Sequence, residues 1–79
     1  MKDYASIGTC RICGQGRVIV ARENATTILY VLCEECESEW KSPPEVTDIN
    51  VATQNQRGLS TLLERSELAG HLWEMFLEK

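Results

Sequence analysis

Along the first half of the chain, apolar residues come in short β-branched runs separated by polar turns. Arg17-Val18-Ile19-Val20-Ala21-Arg22 and Thr26-Thr27-Ile28-Leu29-Tyr30-Val31-Leu32 are strand-sized, and Glu23-Asn24-Ala25 between them has the polarity of a turn. The pair predicts a hairpin. Ahead of it, residues 4–9 are short and mixed, as in an edge strand, and residues 37–40, Glu-Ser-Glu-Trp, predict a third strand. Pro43 and Pro44 stop that strand, because adjacent prolines bring no N–H to a ladder.

Residues 45–58 alternate weakly and are polar, and Val46, Ile49 and Val51 are too few for a core of their own. They predict a connector with at most one short strand. From Leu59 the period becomes helical. Thr61 with Glu64 three positions on matches a capping box, and Gly70 suits the residue just past a helix end. On one helix Leu62, Ala69, Leu72, Trp73, Phe76 and Leu77 share a face, with Glu67, His71, Glu74 and Glu78 opposite. Because Arg65 and Ser66 interrupt that face, the expectation is two short helices meeting at Gly70, the first over 62–69. The expected fold class is a small α+β domain: a three-stranded sheet over 1–41, a connector over 42–58, and a helical tail over 59–79 packed on the sheet.

A chain of 79 residues is too short to close a large apolar core unaided, so a staple is expected. The cysteines supply one. All four fall into two CxxC pairs, Cys10/Cys13 and Cys33/Cys36, and the predicted hairpin brings the pairs together. Two thiolates three positions apart on a tight turn both face one cation, and two such turns give the four corners of a structural zinc site, with no vertex left for water or substrate. One structural zinc is therefore the expected cofactor. Iron in a rubredoxin-like role uses the same ligands, and ligand identity alone does not separate the two. A thioredoxin-like redox pair is single and sits in a βαβ pattern, which is missing here. Disulfides need an oxidising compartment, and the start Met-Lys-Asp-Tyr has neither the basic nor the apolar region of an export signal, so the expected location is the cytoplasm. No apolar run approaches the roughly twenty residues of a membrane helix.

Charge narrows the partner. The formal net charge is −4, with residues 1–41 at −1 and residues 42–79 at −3. Four thiolates around one divalent zinc make the loaded protein more anionic still. Such a surface repels phosphate backbones and favours a basic or neutral protein partner. Glu34, Glu35, Glu37 and Glu39 cluster at the second cysteine pair, with Trp40 beside them. As a binding surface they join complementary charge to an aromatic anchor; as structure they are a solvated charge run and a tryptophan covering the junction with the tail. His71 is expected at the surface, far from the cysteines. No catalytic constellation is recognisable, and the chain is not expected to be an enzyme.

The order strand, Cys10-Arg11-Ile12-Cys13-Gly14, hairpin, Cys33-Glu34-Glu35-Cys36, strand resembles the zinc ribbon of the rubredoxin-like knuckle type. In that family the first knuckle is commonly CPxCG; here Arg11 stands at the proline position, and Glu37 replaces the glycine that ends the second knuckle. With the predicted helix over 61–70, the chain also looks like small bacterial zinc-ribbon proteins, some of which are immunity partners of secreted toxins. That resemblance implies a non-enzymatic inhibitor occluding a basic site on a toxin domain. A nucleic-acid-associated ribbon of the transcription or translation type is the alternative.

Overall fold

The computed structural model describes residues 3–78. One antiparallel sheet holds five strands: β1 (Ser6–Thr9), β2 (Arg17–Glu23), β3 (Leu29–Cys33), β4 (Glu39–Trp40) and β5 (Ser60–Leu62). The first four lie side by side in chain order. β2, the longest and rich in β-branched residues, is the spine: β3 covers one edge, while β1 and β5 share the other end to end. Thr9 stands opposite Arg17 at one end of β2, and Ser60 opposite Glu23 at the other. Where the short strands meet, three backbone bonds close a ring. Val20 N–H donates to Ala5 O at 2.9 Å, Leu63 N–H to Val20 O at 2.9 Å, and Ala5 N–H to Leu63 O at 2.8 Å.

The register decides which side chains enter the core. Val18 pairs with Cys33, Val20 with Val31, and Val31 with Trp40, so these share one face of the sheet. Val46, Leu63 and Leu68 pack against that face, with Trp73 and Leu77 at its margin. Trp40 is 1% exposed, and its indole N–H donates to Asp48 O at 3.2 Å. Burying one tryptophan is worth roughly 4–6 kcal/mol at about 25 cal/mol per Å². On the opposite face Tyr30 is buried beneath Arg57, whose guanidinium carbon lies 5.1 Å from the ring centre. The Tyr30 hydroxyl donates to Ser60 Oγ at 2.6 Å.

The connector forms two 3₁₀ turns, Pro43–Thr47 and Ile49–Val51. It then covers the outer edge of β4, where Glu39 and Thr53 exchange backbone bonds of 2.7 and 2.9 Å.

The helical tail is corrected. Among the described residues there is no α-helix; the tail contributes β5 and two 3₁₀ turns, Arg65–Leu68 and Leu72–Phe76, on either side of Gly70. Residues 60–62 go to the sheet because β1 leaves half of the β2 edge open, and three ladder positions there outweigh a lone turn of helix. The capping box forms three residues later than Thr61 and Glu64 suggest: Glu64 is the N-cap, and its N–H donates to Glu67 Oε2 at 2.8 Å. The expected apolar face is therefore broken up. Of its residues Leu62, Trp73, Phe76 and Leu77 are half-buried, Ala69 is exposed and Leu72 is 77% exposed, while the buried residues of the segment, Leu63 and Leu68, lie outside the expected face. No helix among the described residues is long and apolar enough to cross a membrane.

Candidate metal centre

The hairpin register places the cysteines. Cys33 ends β3 opposite Val18, and Glu34 N–H donates to Arg17 O at 3.0 Å, so the second knuckle begins beside the residue where the first one leaves for β2. A one-residue slip would turn Cys33 to the other face. Each knuckle is closed by its own backbone. In the first, Cys10 N–H donates to Gly16 O at 2.8 Å and Gly14 N–H to Cys10 O at 3.0 Å; in the second, Cys33 N–H donates to Ser38 O at 2.9 Å and Glu37 N–H to Cys33 O at 3.1 Å.

The four sulfurs lie within 4.8 Å of one another. The closest pairs cross between knuckles, Cys10 Sγ to Cys36 Sγ at 3.7 Å and Cys13 Sγ to Cys33 Sγ at 3.6 Å. A tetrahedron with metal–sulfur bonds of about 2.3 Å has edges of about 3.8 Å, so the cluster is able to hold one metal ion. The cysteines are free, and their separations far exceed the roughly 2.05 Å of a disulfide.

Backbone amides turn toward the sulfurs. Ile12 N–H donates to Cys10 Sγ at 3.3 Å, Gly16 N–H to Cys13 Sγ at 3.4 Å, and the Glu35 and Cys36 amides to Cys33 Sγ, both at 3.4 Å. Such donors disperse thiolate charge and fix the ligands in direction. They also set the thiols apart. The Gly16 and then the Gln15 amide pull Cys13 down to about 6, whereas burial pushes Cys33 up to about 12. Burial also raises Cys36, but Ser38, with Cys33 and Cys10, brings it below its ordinary value; Ser38 Oγ lies 3.2 Å from its sulfur.

Gly16 and Ser38 complete this shell without a clear signal in the sequence. A Cβ at Gly16 would lie 2.7 Å from Cys33 Sγ and 2.6 Å from Glu35 Cγ, so only glycine fits beneath the second knuckle.

The residues expected at a partner surface separate. Glu35 and Glu37 are exposed, and Glu34 is ion-paired with Arg17 at 2.8 Å. Glu39 is 4% exposed, its Oε1 accepting from Thr53 Oγ1 at 2.9 Å and from Gln56 N–H at 3.3 Å, and Trp40 is in the core. Neither presents a side chain to a partner, because pairing with Val31 turns Trp40 to the core face and the connector at Thr53 and Gln56 covers Glu39 on the other. His71 is exposed; its Nδ1 accepts from Trp73 N–H at 2.9 Å and caps the last 3₁₀ turn.

Four cysteines clustered on an antiparallel sheet fit a small metal-binding domain of zinc-ribbon type. Neither family models, nor curated proteins, nor solved structures give a match to the chain.

Proposed function

We propose that the chain is a non-enzymatic binding module whose fold is stapled by one zinc held by Cys10, Cys13, Cys33 and Cys36. The observation that carries this reading is the closed set of four sulfurs, each oriented by its own knuckle. A set of four thiolates suits zinc, leaves no coordination position for substrate, and supplies folding energy instead of chemistry. The zinc would lock the two knuckles together and hold the β1–β2 and β3–β4 connections in register.

The partner in this reading is a basic or neutral protein, with a toxin domain inhibited in the cytoplasm as the concrete case. The acidic rim formed by Glu34, Glu35 and Glu37 beside an anionic metal site supports it. Binding of the zinc-loaded chain to basic nuclease domains, to duplex DNA and to single-stranded RNA at low salt tests it. The reading predicts saturable binding to a basic protein, slowed in association when Glu35 and Glu37 are replaced by lysine. Tight nucleic-acid binding that falls steeply with salt would overturn it in favour of a nucleic-acid-associated ribbon.

A further inference from the structure

β1 is an edge strand whose outer side is only half used. Glu78 lies against its start, with Glu78 N–H donating to Ser6 O at 2.9 Å and Ser6 Oγ donating to Glu78 Oε1 at 2.7 Å. Among the described residues, Ile7 to Thr9 make no backbone hydrogen bond to any segment on that side. Beside them runs a groove of about 270 Å³, with Ile7, Gly8 and Thr9 on the strand side, Val46 and Phe76 across from them, and Arg11 as its one charged residue.

We propose that this groove binds an extended peptide, which adds to β1 as a further strand and sets a single carboxylate against Arg11. The chain's own tail makes a single contact of this kind at Ser6, one backbone hydrogen bond from Glu78 without strand pairing. The volume lies just below the roughly 300–1,000 Å³ of small-ligand pockets, and an open edge beside an apolar trough suits backbone pairing with side chains seated at alternate positions. Gly8, at φ 137° beside a register shift, has nothing within 4 Å of where a Cβ would stand, so the strand side of the groove is bare backbone there. Arg11 is exposed and, like Arg22, Lys41 and Arg57, has no carboxylate partner among the described residues, but of these four it alone lines the groove. The net charge of −4 argues for one carboxylate, since an acidic run would be repelled. Thr9 and Arg11 flank the ligand Cys10, so the groove depends on the metal site. It rests on the zinc-stapled fold proposed above but not on the acidic rim, which takes the opposite charge, so peptide binding and basic-protein binding are separately testable.

The test titrates an acetylated Thr-Val-Thr-Val-Val peptide, as the free C-terminal acid and as the amide, into the full zinc-loaded chain followed by amide NMR. Saturable shifts are expected at Ile7, Gly8, Thr9 and Arg11. Affinity for the acid should exceed that for the amide by about tenfold, a preference kept by Arg11→Lys and lost in Arg11→Glu. Ala25→Glu, which adds a negative charge at the exposed turn between β2 and β3, should leave both affinities unchanged. Equal binding of acid and amide by the parent, shifts confined to other residues, or no saturation would overturn the proposal. So would shifts at Ile7–Thr9 that depend on protein concentration alone, which would give the edge to a second copy of the chain.

Discussion

In the first knuckle Gly14 donates to Cys10 O with φ at 70°; in the second, Glu37 donates to Cys33 O with φ at 62°. The bonds match and so does the left-handed turn, yet one position is glycine and the other glutamate. The second knuckle is also one residue shorter, closing on Ser38 where the first closes on Gly16. What the two share is the backbone a CxxC turn needs to aim two sulfurs at one point. Glycine adopts that backbone freely, while a side chain there costs about 1–2 kcal/mol. Glu37 therefore marks a place where the geometry of the sulfur cluster carries local strain.

Removing a ligand breaks the comparison most severely. Serine at Cys10, Cys13, Cys33 or Cys36 is expected to release the metal and unfold the sheet, because structural zinc in small modules contributes about 10–16 kcal/mol, comparable to the whole stability of a domain. Metal content and far-UV circular dichroism of the four variants check this. Retention of metal by any of them would show that the knuckles do not contribute equally.

Next comes the close approach between the knuckles. Gly16→Ala drives a methyl against Cys33 Sγ and Glu35. Metal affinity should fall by about 10–100-fold, read by competition with a chromogenic chelator. An unchanged affinity would mean that the second knuckle yields easily and that its geometry is not held by packing.

The thiols of the two knuckles also answer differently to pH. Cys13, pulled down to about 6, favours the folded state above the ordinary thiol value of about 8.5, and that stabilisation is lost as pH falls through 6. Cys33, pushed up to about 12, keeps its proton in the metal-free fold and must lose it to a metal. Metal affinity should therefore rise with pH above 6 and fall more steeply below 6, where Cys13 is also protonated. Chelator competition between pH 5 and 9 gives the slope; a slope constant across pH 6 would contradict the assignment.

The mildest changes fall on the two left-handed positions themselves. Glu37→Gly should raise the stability of the loaded protein by about 1 kcal/mol, and Gly14→Ala should lower it by a similar amount, as read by thermal melting at fixed metal concentration. A destabilising Glu37→Gly would show that the carboxylate makes an interaction worth more than the strain.

The hairpin and the clustering of the four cysteines are legible in the sequence because β-branched runs and CxxC spacing are local signals. β3 starts at Leu29 and not Thr26, since the turn runs on through Thr27, at φ 62°. The tail departs from the predicted helix for a tertiary reason. Ser60-Thr61-Leu62 carries almost no periodicity, and its strand exists because β1 stops short on β2. Trp40 was ambiguous between core and surface until the register with Val31 decided it. Gly16 carries no local signal of its role, because its contact with Cys33 depends on how two distant turns pack.

In the proposed reading four thiolates hold one zinc and the zinc holds the fold. Intact mass of the chain, measured under native and then denaturing conditions, tests it most directly. The prediction is one zinc per chain in the native spectrum, replacing the thiol protons, and the fully reduced chain mass after denaturation. A native spectrum of a folded, metal-free chain, one carrying iron, or a denatured mass reduced by disulfide formation would contradict it.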